Sequence, residues 1–323
     1  MNAFASLFHT WLLSLSFVVV PMDGRALEHP PASMFVPVGI VQTQTRLGRD
    51  LALRLPEHAP LKIDPSRLGI ETAARSVLVM DRRTQAVLYE KGGGDVRSIG
   101  SITKLMTALV ALESGMDLAG QDQIYSEDVI YGGLEHIPPN DPVRVRDLLA
   151  SSLIASDNSA TAALARASGL SPEQFIEKMN AKAQELHMDQ TTFADPSGIL
   201  PENRSSAFDV ALLLNAAMEQ PQITEFVTKR ELTLTTSRGR TIKLANTNEL
   251  FSSFLDEEPY QILSGKTGYL PTAGYCLAAA VREENGGDLI VVVLGAPGKD
   301  DRFFDAEALA AWSFDAYAWS DAQ

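Results

Sequence analysis

Ser101-Ile-Thr-Lys-Leu-Met-Thr-Ala-Leu-Val-Ala-Leu-Glu113 is the stretch from which the rest of the chain can be read. Ile102, Leu105, Met106, Leu109, Val110 and Leu112 recur at a helical period, and Gly115 follows as a stop. The apolar surface is broad, so the helix is predicted to be buried. Ser101 and Lys104, three residues apart, then share one face. A serine hydroxyl is a weak nucleophile until a base takes its proton. A lysine becomes that base when burial or a neighbouring cation lowers its pKa. The first turn of a helix also offers free N–H groups to developing negative charge. Taken alone the pair is weak, because about one chance copy is expected in a chain of this length. With nothing else present, a capping serine beside a snorkelling lysine would be the better reading, although the strongly apolar helix suits a solvated Lys104 poorly.

Working outward, Ser76-Val-Leu-Val-Met80 and Ala86-Val-Leu-Tyr89 flank the polar Asp81-Arg-Arg-Thr-Gln85 and predict a β-hairpin. The region from about 117 to 230 reads as mostly helical, with segments Val145–Ile154, Ser159–Ala167, Pro172–Leu186 and Phe208–Met218. Strands return at Leu263–Gly268, Tyr275–Val281 and Leu289–Leu294, the last two joined by a turn at Asn285-Gly-Gly287. A helix over Arg302–Ala318 closes the chain. Strands at both ends with helices between them predict an α+β fold. In it the N-terminal hairpin and the C-terminal strands share one antiparallel sheet, flanked by helices, with a mostly helical insert and a cleft between sheet and insert.

Two further motifs fall at element boundaries. Ser156-Asp-Asn158 marks the break between two helices. Its hydroxyl can relay a proton and the Asn158 amide can hold Lys104 or a substrate carbonyl, although the same residues are ordinary helix caps. Lys266-Thr-Gly268 lies in a predicted strand. There an extended peptide can pair by β-addition, Gly268 allows close backbone approach, and Lys266 and Thr267 suit a carboxylate beside the scissile bond. Lys266 would also lower the pKa of Lys104 by repulsion. The bland alternative is a strand end followed by a turn.

Composition narrows the function classes. The 323 residues are 45% hydrophobic and carry a net charge of −14, with no long basic run. That argues against nucleic acid, whose binding needs clustered Lys and Arg, and fits poorly with anionic lipid. The single cysteine, Cys276, sits in an apolar run and reads as a small buried hydrophobe. The five histidines show no metal-ligand spacing. Leu7–Val20 is apolar but short for a membrane span. With small residues at Gly24-Arg-Ala26 it reads as a secretory signal covering 1–26, though no Lys or Arg precedes it. The Pro-rich residues 27–65 read as an irregular segment, and a catalytic domain is expected over 66–323.

Ser-x-x-Lys, Ser-Asp-Asn and Lys-Thr-Gly in this order are the signature of penicillin-binding proteins and class A β-lactamases. Here Ser156 follows Ser101 by 55 positions and Lys266 follows Ser156 by 110. From about Ala74 to Trp319 the chain resembles the low-molecular-mass penicillin-binding proteins, the D-alanyl-D-alanine carboxypeptidases and endopeptidases. Asp147-Leu-Leu149, Asp195-Pro-Ser-Gly198, Asn246-Thr-Asn248 and Thr272-Ala-Gly274 strengthen the likeness. The resemblance implies a β-lactamase/transpeptidase-like fold and a periplasmic enzyme acting on peptidoglycan stem peptides. It also implies acylation by β-lactam antibiotics, no metal or organic cofactor, and at most peripheral membrane contact. Ser101 resembles the acylated nucleophile, Lys104 its base and Ser156 a proton relay. Asn158, Lys266 and Thr267 resemble substrate holders, and the N–H groups of Ser101 and Tyr269 the oxyanion hole. Gly100 stands where alanine is commoner, a change expected to loosen the helix start. The short C-terminus and Ser-Asp-Asn lean toward the endopeptidase branch. A class A β-lactamase is the alternative. It needs a glutamate in Glu-x-x-Leu-Asn after the second motif, and no such run lies between Asn158 and Lys266.

Overall fold

The computed structural model describes residues 58–131, 135–284 and 286–319. The signal-peptide reading of 1–26 and most of the irregular segment lie outside the described residues. One five-stranded antiparallel sheet organises the rest: β1 (Ser76–Asp81), β2 (Val87–Lys91), β3 (Tyr260–Leu270), β4 (Gly274–Glu283) and β5 (Asp288–Ala296). Its order is β3-β4-β5-β1-β2, so the two ends of the sequence meet at β5 and β1, with Val291 opposite Val79. The expected shared sheet is therefore present.

Strands buried on both faces read as nearly continuous apolar runs, and the two faces sort by alternation. Leu78, Met80, Cys276, Ala278, Ile290 and Val292 join the core of the helical insert. Val77, Val79, Leu277, Val291 and Val293 pack on the other side with Phe303 and Leu309 of the last helix. Cys276 is fully buried, and burial pushes its thiol up to about 11, as fits an inert core residue.

The helices are α1 (Thr103–Glu113), α2 (Val145–Ile154), α3 (Asn158–Ala167), α4 (Pro172–Glu185), α5 (Ala207–Met218), α6 (Pro221–Val227) and α7 (Asp301–Ala316). Four predicted boundaries agree within about one residue. Two expectations needed correction. The last helix ends at Ala316, because Tyr317–Ala318 turns extended and pairs with Leu61–Lys62. Residues 117–131 and 135–143 carry short strands, turns and a 3-10 turn at Ser126–Asp128 rather than α-helix, and a hairpin, Glu231–Thr235 with Thr241–Ala245, follows α6. That hairpin alternates buried Leu234, Ile242 and Leu244 with exposed polar residues, a period-2 pattern that the helical reading passed over.

α1 is nearly enclosed: every residue from Thr103 to Ala111 is buried. It runs through the helical insert and brings its N-terminal end to the edge strand β3.

Candidate active site

Ser101 sits in a 3-10 turn, Gly100–Ile102, that leads directly into α1. Lys104, one turn on, is 0% exposed, and its Nζ lies 2.9 Å from Ser101 Oγ. Two more contacts complete the environment of that nitrogen: Asn158 Oδ1 at 2.7 Å and the Ser197 carbonyl at 2.5 Å. An ammonium group has three donors, and all three directions are occupied. Burial drives the Lys104 pKa down to about 7, with the carboxylates of Asp195 and Asp157 pulling weakly the other way.

The second motif forms as the break between α2 and α3 requires. Asp157 caps α3, its Oδ1 accepting from Ala160 N at 3.0 Å, while its Oδ2 accepts from Ser151 Oγ and His136 N. The cap and the groove-facing positions fall on different residues. Asp157 anchors the helix, and Asn158 and Ser156 face the site. Ser156 has φ +59, a conformation a serine adopts at a cost. That conformation brings its Oγ 2.8 Å from Lys266 Nζ.

Lys266, expected to suit a carboxylate beside the scissile bond, is 1% exposed, and its Nζ donates to Ser156 Oγ and to the Thr267 carbonyl at 3.0 Å. Its pKa is pushed well down, first by burial and then by the charges of Lys104 and Arg302. The repulsion between the two lysines falls on Lys266; at Lys104 burial is what lowers the pKa, and Lys266 is not among the charges that shift it. Thr267 lines the groove itself, with its hydroxyl 2.6 Å from Thr247 Oγ1.

Gly268 is required for a different reason than the close approach of a ligand. A Cβ there would lie 2.2 Å from the Ile99 carbonyl, inside the segment that carries the nucleophile. Gly100 has φ +54, and a Cβ on it would come within 2.7 Å of Tyr269 N. The glycine therefore fits a tight junction with β3 rather than loosening the helix start.

These residues meet at a cavity of about 550 Å³ whose walls include Ser101, Ser156, Asn158, Thr267, Gly268 and Tyr269. Lys104 and Lys266 stand just behind the wall. Residues given no role in the sequence reading complete it. The Asp195 carboxylate gathers Ser197 N, Ser197 Oγ, Gly198 N and Leu200 N, and these bonds hold its pKa below the ordinary value despite burial. That turn aims the Ser197 carbonyl at Lys104. The run Asp-Pro-Ser-Gly is an Asx-turn signal that could have pointed to it. At the other end Arg302, 5% exposed, donates to the Gly268 carbonyl and lies over the rings of Phe303 and Tyr275. Glu249 and Lys299, paired with each other, also border the cavity. Nothing in the local sequence marks these three.

Residues 62–298 match the family described as D-alanyl-D-alanine carboxypeptidase. Among curated relatives, a D-alanyl-D-alanine endopeptidase of Escherichia coli is 34% identical over 75% of this chain and 77% of its own length. A D-alanyl-D-alanine carboxypeptidase of Bacillus subtilis is 31% identical over 76% of this chain and 63% of its own. The crystal structure of a Streptomyces DD-transpeptidase superposes with a TM-score of 0.69 at 29% identity, covering 77% of this chain and 100% of that one. A penicillin-binding protein of Listeria monocytogenes in its ampicillin-bound form gives 0.66 at 29% identity, with the same coverage.

Proposed function

The chain belongs to the D-alanyl-D-alanine carboxypeptidase family and is a serine-type DD-peptidase; on that premise we propose how its own residues cleave D-alanyl bonds in peptidoglycan stem peptides. The observation that carries the proposal is the buried Lys104 amine, with a pKa near 7, 2.9 Å from Ser101 Oγ. Near neutral pH much of it is uncharged and able to take the serine proton.

Ser101 Oγ attacks the carbonyl carbon of a D-alanine residue as Lys104 accepts its proton. The backbone N–H groups of Ser101 and Tyr269 receive the oxyanion. The C–N bond then breaks, and the leaving nitrogen takes the proton that Lys104 accepted, relayed through Ser156, whose hydroxyl is held by Lys266. Water hydrolyses the resulting ester and Ser101 recovers its proton. Asn158 keeps Lys104 oriented toward the serine. Thr267, with the Arg302 guanidinium behind it, receives the carboxylate beside the scissile amide. A terminal D-alanine and a diaminopimelate cross-link both carry that carboxylate, so one site serves carboxypeptidase and endopeptidase cleavage. A β-lactam follows the first step and stalls as the acyl-enzyme. Cell-wall peptides place the work outside the cytoplasm, and we assign the chain to the periplasm. Among the described residues no helix is long and apolar enough to cross a membrane.

Two measurements test this. Intact mass after penicillin treatment should show one adduct, mapped by peptide analysis to Ser101; an adduct elsewhere overturns the mechanism. Purified muropeptides should lose one terminal alanine, or cross-linked dimers should fall to monomers. Neither product appearing would overturn the function.

A further inference from the structure

Beyond the Tyr269 end of the catalytic groove lie two adjoining cavities of about 320 and 380 Å³. Tyr269 and Tyr275, stacked at 4.4 Å, form a wall common to the groove and the first cavity. Arg97 and Thr272 border both outer cavities. Arg75 lines the first and Arg204 the second.

The charges here are unusual for this protein. The chain carries −14 overall, and most of its arginines elsewhere pair with carboxylates. Among the described residues, none of Arg75, Arg97 and Arg204 forms an ion pair. Among the described residues the Arg204 guanidinium donates only to the Val96 carbonyl, at 3.1 Å. Arg97 Nε is buried with no hydrogen-bond partner, a vacancy that natural structures rarely leave unfilled. Its guanidinium is packed against Gly295, where a Cβ would lie 3.0 Å from it, so it is fixed in place. One carboxylate, Glu202, stands on the wall of the outer cavity and partly offsets the cluster.

Taking the DD-peptidase reading as given, we propose that Arg75, Arg97 and Arg204 form an anion subsite for carboxylates on the acyl-donor peptide, upstream of its D-alanyl bond. The direction follows from β3. That strand runs past the nucleophile at Gly268 and Tyr269 and ends at Leu270, with Thr272 in the turn that follows. A peptide laid along it advances roughly 3.3 Å per residue, so about three or four residues carry it from Ser101 to the arginines. Guanidinium groups bind carboxylates through paired N–H bonds.

The test is calorimetric binding to the full chain carrying Ser101→Ala, so that nothing is cleaved. The ligands are a stem pentapeptide ending in D-alanyl-D-alanine, with its upstream carboxylates free, and the same peptide with those carboxylates amidated. The free-carboxylate peptide should bind about tenfold tighter, with the difference shrinking as salt is raised. Adding Arg75→Gln and Arg204→Gln, both at exposed positions, should bring the ratio below about twofold while leaving the amidated peptide's affinity unchanged. An equal affinity for the two peptides, a preference that survives the arginine changes, or no binding of either peptide would each overturn the subsite. Hydrolysis is scored separately with Ser101 intact. Selective binding without any cleavage would remove the peptidase reading and leave the subsite standing.

Discussion

At the scale of single residues the protein depends on an amine kept in the wrong charge state for water. Lys104 is enclosed on every side, and enclosure disfavours its cation. Two consequences can be measured. The rate of penicillin acylation should fall about tenfold for each pH unit below about 7 and level off above it; a flat profile from pH 5 to 8 would remove Lys104 as the base. The second concerns stability. Between about 7 and 10.5 the folded state holds fewer protons at this lysine than the unfolded chain does, so stability from this group rises with pH across that window. Below about 7 the penalty is complete. Lys104→Met should therefore raise the melting temperature by several degrees at pH 6 while abolishing acylation, since one kcal/mol moves a domain of this size by about 2–4 °C. Thermal melts of both proteins at pH 6 read it directly. An unchanged or lower melting temperature would mean that the three polar contacts of Lys104 outweigh its burial.

Among the elements, three junctions hold the site together. The 3-10 turn before α1 is pressed between β3 and the Asp195 turn. Gly198, at φ +83, would place a Cβ 2.1 Å from the Gly100 carbonyl, and Gly268 closes the other side. The break between α2 and α3 is held by Asp157, which joins a helix cap to the Ser151 hydroxyl and the His136 N–H. Asp157→Ala should cost about 1–2 kcal/mol of stability through the lost cap. It should also slow acylation, because Asn158 follows directly and would lose its fixed distance to Lys104. Urea denaturation and stopped-flow labelling measure the two effects. A stability loss with an unchanged acylation rate would show that Asn158 is positioned without the cap.

For the described residues as a whole, the sheet is a floor shared by two cores, where β1 and β2 meet the C-terminal strands and the helical insert. Leu78→Ala, at a fully buried position on the insert side, should cost about 2–5 kcal/mol. Penicillin labelling should be lost along with the far-UV signal on heating, because the catalytic groups come from elements that only the folded sheet brings together. Labelling that survives loss of the sheet would contradict that dependence. Much of this architecture is legible in the linear chain. Short apolar runs on both sides of the insert and a 3.6-residue period at Ser101–Glu113 state the α+β class, and three motifs in order state the chemistry, because local patterns report local geometry. Ser101 and Lys104 are likewise readable, being one helical turn apart. What needed coordinates was everything carried by contacts between distant segments. Lys266 turns out to be sealed behind the groove and bonded to Ser156, Gly268 is small for the sake of Ile99, and the Ser197 carbonyl supplies the last contact to Lys104. Arg75, Arg97 and Arg204 are scattered along the chain and become a cluster only through folding. Burial and distance between remote residues set pKa values and clefts, and neither quantity is written in any one stretch of sequence.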